Sequence, residues 1–450
     1  MEIAMLFERK IYKKMKDWKA FSKGGSALLI EGARRIGKST VAEHFAKNEY
    51  EDYLLLDFSL EPADIRNNFG NPNVFFRNLF LLKGKELPPG KSVIIFDEVQ
   101  LFPPARQAIR QLVRDGRYDY IETGSLISIR KNVQNILIPS EEYKVKMYPM
   151  DFEEFLWAMG DHITMQSVQT AFMQREPLGA AVHRKIMRDF RTYMAVGGMP
   201  QAVEAFVSGT SYQGIDFIKR NILALYEEDL KKYDADNNEK ASVIFRTIPS
   251  QLTRHKAHFV FSEVDKNARY KNYVDAVEFV AESMMGNICV NVSYPDVSLE
   301  MYEERNNFKL YMGDTGLLVT QIMRSNEDTE DNLYKSLIFN RLGINQGMIM
   351  ENIVAQILRA TGHKLYFHEY MYQPEGTEKE KKYEIDFLTV RERKIVPIEI
   401  KSSGYSNHQS FDYFIEKYPL PVQERIIIYG KDVMKRDGIL YIPFYMAGCL

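Results

Sequence analysis

One glycine-rich segment constrains the fold of this chain more than any other feature of its sequence. Residues Gly32 to Ser39 read GARRIGKS and match the pattern GxxxxGK[ST] in full. The apolar run Ala27–Glu31 precedes the segment, and a helix is predicted from about Lys38 to Ala46. Glycines let backbone N–H groups face a polyphosphate, and a helix N-terminus adds partial positive charge. The strand, loop and helix together predict a phosphate-binding loop.

The residue types in this loop predict individual roles at a nucleotide. Lys38 is expected to reach the β- and γ-phosphates, and the Ser39 hydroxyl is expected to ligate Mg²⁺. The other loop residues predicted to line the nucleotide site are Gly32, Arg34, Arg35, Gly37 and Thr40. For Arg34 and Arg35 the sequence allows two alternatives: each side chain contacts phosphate, or each faces solvent. The predicted cofactors are therefore ATP and Mg²⁺.

A second apolar strand ends in two carboxylates, which suits hydrolysis. Ser92–Phe96 reads SVIIF and is followed by Asp97 and Glu98. Asp97 is expected to hold Mg²⁺, and Glu98 is expected to orient and polarise the attacking water. The plain alternative is a buried strand that runs into an exposed acidic turn. A later strand ends in Thr123-Gly124-Ser125, where either hydroxyl could act as a γ-phosphate sensor or cap the next turn.

The first third of the chain alternates apolar runs with amphipathic segments. Its strand candidates are Ala27–Glu31, Tyr53–Phe58, Ser92–Phe96 and Tyr118–Glu122. Continuous apolar strands separated by helices indicate a parallel sheet covered on both faces. The predicted fold class is therefore α/β, beginning with a P-loop NTPase domain.

Composition narrows the class of protein further. Lys and Arg total 59 and Asp and Glu total 61, so the formal net charge is −2. This balance excludes a strongly basic chain that binds nucleic acid with its whole surface, but not a local basic face. Cys289 and Cys449 cannot form a disulfide framework, and neither lies in a CxxC pair. Since no apolar run reaches about 18 residues, we predict a soluble cytoplasmic protein with no membrane partner.

A second set of chemically active residue types lies near the C-terminus. In IEIK, Glu399 and Lys401 are two positions apart and share one strand face. Asp386 lies in the preceding strand candidate, and a hairpin could bring it close to Glu399. Glu351 lies on the helix just upstream. Carboxylates can hold Mg²⁺ against a scissile phosphate, and a lysine can stabilise developing charge. A salt bridge at the edge of a strand is the plain alternative.

The organisation along the chain predicts three domains. Residues 1–214 form the ATPase core with a helical extension, residues 215–324 a helical or winged-helix-like domain, and residues 325–450 a third domain. The middle domain is predicted from helices followed by a short strand pair, Ile288–Val292 and Lys309–Met312. Its basic stretch LTRHKAHF could lie near DNA phosphates, although a solvated helix end is the more common explanation of such a stretch.

Several stretches resemble the predicted AAA+-type ATPases of bacteria and archaea that carry a C-terminal domain of uncharacterised function. They are the P-loop, FDEVQ, the ETGS strand end, YPMDFEEFL, YMAVGGMPQAV and LYMGDTGLL. The resemblance implies an ATPase core, a helical or winged-helix middle and a restriction-endonuclease-like end. It also implies an arginine that reaches a neighbour's γ-phosphate, for which Arg130, Arg188, Arg191 and Arg220 are the candidates.

The C-terminal residues resemble the D…ExK active site of restriction-endonuclease-like nucleases. This resemblance implies Asp386 and Glu399 as metal ligands, Lys401 as the charge-stabilising catalytic residue and Glu351 as an auxiliary ligand. A proline often precedes the aspartate in that family, and Ile385 stands there in this chain.

Two functions follow from these sites. The first is a Mg²⁺-dependent ATPase coupled to nucleic-acid binding or cleavage, with DNA as a partner. The alternative is a regulatory ATPase switch that binds a protein partner or a second copy and uses an inactive nuclease-like fold as a scaffold.

Overall fold

The computed structural model of the protein describes residues 6–61, 69, 71–125, 139–234, 239–253, 258–264, 269–323, 334, 346–402 and 408–450. The chain forms two compact units, Met1–Met150 with Glu282–Met284, and Asp151–Ala281 with Met285–Leu450. Within the described ranges, no helix combines the length and apolar character needed to cross a membrane.

The first unit is a parallel sheet flanked by helices. Its elements are α1 (Ile11–Ser22), β1 (Ala27–Glu31), α2 (Lys38–Glu49), β2 (Asp52–Asp57), α3 (Pro72–Lys83), β3 (Ser92–Asp97), α4 (Pro103–Asp115), β4 (Asp119–Gly124) and β5 (Glu142–Lys146). The described strands pair in the order β2-β3-β4-β1-β5, and every pair is parallel. The predicted α/β class and parallel sheet are confirmed. The edge strand β5 was not predicted, because its sequence EYKVK is mostly polar.

The order of the strands positions the site. Every residue of β1 and β3 is buried, because both strands lie inside the sheet with helices over its faces. β4 lies between β1 and β3, so the end of β4 lies beside the ends of both neighbours. Parallel strands present their carboxyl ends at one edge, and this edge carries the P-loop, Asp97 and Thr123.

The second unit combines helices with a mixed sheet. Its helices are α5 (Phe152–Ala158), α6 (Thr164–Gln174), α7 (Ala180–Val196), α8 (Pro200–Val207), α9 (Tyr212–Asp234), α10 (Lys240–Thr253), α11 (Val274–Glu282), α12 (Thr315–Ile322), α13 (Gln346–Ala360) and α14 (Gln409–Lys417). Its strands are β6 (Gly286–Val292), β7 (Glu303–Met312), β8 (Leu365–Tyr372), β9 (Lys381–Arg391), β10 (Lys394–Lys401), β11 (Arg425–Tyr429), β12 (Met434–Arg436) and β13 (Ile439–Pro443).

The sheet of the second unit crosses the domain boundary that we predicted near residue 324. The described strands lie in the order β12-β13-β11-β10-β9-β8-β6-β7, and β6 pairs in parallel with β8. The strand pair β6–β7, which we assigned to a winged-helix-like domain, is therefore part of the same sheet as the C-terminal strands. A pairing such as Cys289 with Leu365 joins distant segments and leaves no local signal in the sequence.

A buried junction in the second unit joins two of the family-like stretches, YMAVGGMPQAV and LYMGDTGLL. The Asp314 carboxylate accepts hydrogen bonds from the backbone N–H groups of Gly198 at 2.7 Å and Leu317 at 2.9 Å. From α9, the buried Lys219 donates to the carbonyl oxygens of Ala195 at 2.7 Å and Gly316 at 3.2 Å. Burial lowers the pKa of Lys219 to about 8. These stretches thus pack against each other.

Candidate nucleotide site and C-terminal carboxylate cluster

The backbone of the P-loop requires glycine at two positions, Gly32 and Gly37. Gly37 adopts a left-handed conformation with φ of 92° where α2 begins. A Cβ on Gly32 would lie 2.5 Å from the carbonyl oxygen of Met147, so a larger residue there would displace the backbone. Arg9 is buried just before α1, and its guanidinium donates to the carbonyl oxygens of Ile36 at 2.8 Å and Tyr148 at 2.7 Å. This arginine clamp was not predicted, because Arg9 lies in an ordinary charged stretch.

The Lys38 amine lies inside the loop. Nζ donates to the carbonyl oxygens of Gly32 at 3.1 Å and Ala33 at 2.8 Å, and the side chain is buried. Burial lowers the pKa of Lys38 to about 8, although the nearby carboxylates Glu98 and Asp97 favour its charged form. These contacts hold the amine inside the loop, at the N-terminal end of α2.

Three predicted residues meet at one carboxylate oxygen. Ser39 Oγ donates to Asp97 Oδ1 at 2.7 Å, and the buried Thr123 hydroxyl donates to the same oxygen. Each comes from a different element: Ser39 from the first turn of α2, Asp97 from the end of β3 and Thr123 from the end of β4. Oxygen donors of this kind are the ligands that Mg²⁺ prefers, so Ser39 and Asp97 fit a Mg²⁺ site.

Glu98 follows Asp97 in a conformation that is rare for residues other than glycine. Its φ is 53° and its ψ is 42°, in the left-handed region, which costs about 1 kcal/mol. The Gln100 side-chain amide donates a hydrogen bond to its carboxylate. Backbone strain of this kind clusters at functional sites.

The other residues predicted at the nucleotide occupy the same loop and strand end. Arg34 is half-buried, whereas Arg35 is exposed with φ of 67°, which matches the solvent-facing alternative for Arg35. Thr40 is exposed on α2, and Ser125 is buried directly after β4. Their contacts with a nucleotide stay predictions.

The candidate arginine fingers fall outside the first unit or outside the described residues. Arg130 lies outside the described residues. Residues 254–257 of the basic stretch LTRHKAHF, which was predicted as a possible DNA contact, also lie outside them. Arg188 is exposed on α7, Arg191 is half-buried there, and Arg220 pairs with Asp216 at 2.6 Å. The pairing of Arg220 within its own helix makes it the least suited of the described candidates.

A buried carboxylate behind the site was not predicted. Glu122 is fully buried on β4, and neither of its oxygens has a hydrogen-bond partner among the described residues. Burial raises its pKa well above the ordinary value, and the charge of Glu142 acts in the same direction. The positive charge of Arg106 opposes this shift. Arg106 itself makes a two-point ion pair with Glu142, at 2.7 and 2.8 Å. A charged residue within the apolar strand YIETG was the signal that could have revealed it.

The predicted C-terminal residues do come together. The strands β9 and β10 form the expected antiparallel hairpin, and the Asp386 carboxylate accepts a hydrogen bond of 2.7 Å from the Ile400 N–H. Lys401 Nζ lies 3.1 Å from Glu399, which also accepts from the Ser410 hydroxyl. Burial raises the pKa of Glu399 to about 7, with Lys401 opposing the shift.

A lysine that the sequence analysis missed occupies the middle of this cluster. Lys309 Nζ, from β7, lies 3.0 Å from a Glu351 oxygen and 2.5 Å from a Glu384 oxygen. Burial alone would lower the pKa of Lys309, but the surrounding Glu351, Glu384 and Asp386 raise it well above its ordinary value. Burial raises the pKa of Glu384 to about 7. The cluster is thus a mixed carboxylate and lysine network.

Each of the predicted C-terminal metal ligands, Glu351, Asp386 and Glu399, has a partner within the protein. Glu351 accepts hydrogen bonds from Lys309 and from the Tyr311 hydroxyl, and Asp386 and Glu399 have the partners given above. Within the ranges that the structure describes, no group of three or more His, Cys, Asp and Glu side chains is arranged to hold a metal ion. Lys309 supplies the cation next to Glu351 and Glu384.

Comparison with protein-family models divides the chain into three matched segments. Residues 25–156 match a family described as "AAA domain", and residues 346–446 match "Domain of unknown function (DUF4143)". Residues 187–328 match "Domain of unknown function (DUF8612)". Together with the P-loop, the first match supports an AAA-type P-loop ATPase domain in this chain.

Comparison with solved structures gives the following distant likenesses. Cdc6p from Pyrobaculum aerophilum is 9% identical with a TM-score of 0.26, over 76% of this chain and 97% of that chain. Protein VC1899 from Vibrio cholerae is 12% identical with a TM-score of 0.17, over 88% and 94%. The Hef helicase domain of Pyrococcus furiosus is 10% identical with a TM-score of 0.18, over 95% and 91%. No curated protein sequence matches.

The contact between Thr123 and Asp97 predicts which hydroxyl matters at the end of β4. Thr123→Val keeps the shape of the side chain but removes a hydrogen bond to a charged group, which is worth about 1.5–3 kcal/mol. We therefore expect kcat for ATP hydrolysis to fall about 10- to 100-fold, whereas Thr123→Ser should stay close to the parent protein. Steady-state ATPase assays of both variants beside Ser125→Ala test this. A larger loss in Ser125→Ala than in Thr123→Val would contradict it.

Proposed function

We propose that this protein binds ATP and hydrolyses it in a Mg²⁺-dependent reaction at the carboxyl edge of the first unit's sheet. The observation that carries the proposal is the meeting of Ser39 and Thr123 at one oxygen of Asp97, directly beside the P-loop lysine. The AAA domain match over residues 25–156 supports the same function.

The chain's own residues divide the work between binding and hydrolysis. Loop N–H groups and Lys38 bind the phosphates, and Ser39 and Asp97 hold Mg²⁺, which neutralises phosphate charge when bound. Glu98 orients the attacking water and takes up its proton. Thr123 holds the Asp97 carboxylate in place from the neighbouring strand. In this scheme the strained backbone of Glu98 aims its carboxylate at the water.

For the second unit, we propose the role of a regulatory scaffold that responds to the ATPase cycle and binds a protein partner. Support comes from the C-terminal cluster, where a buried lysine, Lys309, is paired with Glu351 and Glu384. Nucleic-acid binding or cleavage is the second candidate, favoured by the D…ExK residues Asp386, Glu399 and Lys401 on neighbouring strands.

The primary test is an ATPase assay of the full chain with Mg²⁺ and with EDTA. Lys38→Ala removes a donor to the phosphates, so we expect kcat/KM to fall about 10²- to 10³-fold. Lys47→Ala, an exposed lysine on the same helix, is the matched control and should keep full turnover. Full turnover in Lys38→Ala would show that the P-loop assignment is wrong.

A polymer panel separates the two roles proposed for the second unit. ATPase rates are measured without polymer and with single-stranded, duplex and branched DNA and with RNA, at low salt because phosphate contacts weaken with salt. Stimulation by DNA, together with Mg²⁺-dependent cleavage that Lys401→Ala abolishes, would favour the nuclease role. The scaffold role predicts neither stimulation nor cleavage.

A further inference from the structure

Lys309 is a buried lysine that contacts side chains from three other elements of the second unit. It lies on β7, which the sequence analysis placed in another domain, yet its amine reaches Glu351 on α13 and Glu384 on β9. Only 7% of the residue is exposed, so its charge is shielded from water. The Phe367 ring centroid on β8 lies 5.1 Å from Nζ. One amine thus contacts three other elements of the second unit.

The charges of the cluster show what this amine does. Four carboxylates, from Glu351, Glu384, Asp386 and Glu399, lie close enough to influence one another's charge. Glu399 is buried and paired with Lys401 at 3.1 Å, and the other three residues are half-buried. Like charges in a buried region repel each other strongly unless a cation lies between them. Lys309 lies within ion-pair distance of two of the four.

A divalent ion that bridged Glu351 and Glu384 would compete with this amine for the same oxygens. An ion that bridged Glu351 and Glu384 would need their oxygens at about 2.0–2.1 Å for Mg²⁺. The amine lies 3.0 and 2.5 Å from those oxygens, so ion and amine cannot both occupy the space. Moving the amine away would leave a buried lysine without its partners, which is costly.

We propose that Lys309 is the resident cation between Glu351 and Glu384, and that this part of the C-terminal cluster is built to persist without a divalent metal ion. This inference goes beyond ATP hydrolysis, which takes place in the other unit. It assigns the nuclease-like residues a structural role, in which Lys309 ties β7 to α13 and β9.

Manganese binding tests the proposal without altering the cluster. The full-length Asp97→Asn protein, which lacks the metal-binding carboxylate of the ATP site, is titrated with Mn²⁺ in the absence of nucleotide, and free Mn²⁺ is followed by electron paramagnetic resonance. We expect no stoichiometric uptake. Uptake of one equivalent that is lost on adding Glu351→Gln would overturn the proposal.

Thermal unfolding in EDTA provides the second measurement. Lys309→Met should lower Tm by about 5 °C or more, because it leaves the half-buried carboxylates of Glu351 and Glu384 without their cation. The control is Lys364→Met, since Lys364 also pairs at 2.5 Å with a carboxylate, that of Glu303, but is 48% exposed. Exposed pairs contribute little, so its Tm should change little. An equal effect of the two substitutions would overturn the proposal. The Mn²⁺ titration uses no Lys309 variant and decides the question even where Lys309→Met does not fold.

Discussion

Glu98→Gln is expected to lower kcat for ATP hydrolysis by about 10²- to 10⁴-fold and to leave ATP binding nearly unchanged. An amide keeps the size of the side chain but cannot take up the proton of the attacking water. The P-loop and Asp97 are untouched by the substitution, so the phosphates and Mg²⁺ should still bind. Equilibrium binding of a fluorescent ATP analogue, measured beside single-turnover hydrolysis, separates the two effects.

The control for this prediction is a glutamate of the same unit that lies away from the site. Glu51 is exposed and pairs with Lys91 at 2.8 Å, so Glu51→Gln should leave both binding and turnover intact. If Glu98→Gln keeps half or more of the parent kcat, the water-activating role is wrong. Loss of binding in the same variant would instead indicate that Glu98 holds the loop in place.

Gly316→Ala is expected to destabilise the second unit by about 3 kcal/mol, at the upper end of the usual cost of overpacking. A Cβ at this position would lie 2.5 Å from the Val196 carbonyl oxygen, 2.5 Å from Gly197 Cα and 2.6 Å from Gly197 N. All three atoms belong to the backbone, so no side-chain rotation can relieve the overlap. The junction would have to open, which weakens the hydrogen bonds of Lys219 and Asp314. Denaturant unfolding monitored by circular dichroism measures the loss.

Gly430→Ala is the matched substitution in the same unit. Its added Cβ would have no heavy atom within 4 Å, and its backbone does not require glycine. We expect a change within about 0.5 kcal/mol, as for other surface positions. Equal stability of the Gly316→Ala and Gly430→Ala proteins would show that the backbone at Gly316 does not lie against the backbone at Gly197.

The nucleotide site was predictable because its residues follow local rules. A P-loop needs glycines, a lysine and a hydroxyl at fixed spacing, and Asp97 and Glu98 had to follow an apolar strand. Parallel strands bring their carboxyl ends to one edge, so the sequence alone predicted that the P-loop and Asp97 would be adjacent. Which of the hydroxyls of Thr123 and Ser125 contacts Asp97 could not be predicted, because it depends on the register of β4 beside β3.

The C-terminal cluster shows the opposite case. The hairpin of β9 and β10 and the closeness of Asp386 to the end of β10 follow from strand alternation. Lys309 escaped notice because it belongs to β7, and β7 joins this sheet through β6, which pairs with β8 more than 60 residues away in sequence. A pairing over such a distance depends on the packing of the whole unit.

From the sequence alone came the α/β class, the P-loop with its Asp97–Glu98 strand and the hairpin of the C-terminal carboxylates. Each of these depends on spacing within a few residues or on the alternation of a single strand. Only the tertiary structure decided that Thr123 contacts Asp97, that Gly197 and Gly316 meet, and that Lys309 lies among the carboxylates. Those contacts join residues far apart in the chain, and their geometry depends on how strands and helices pack, which local sequence patterns do not specify.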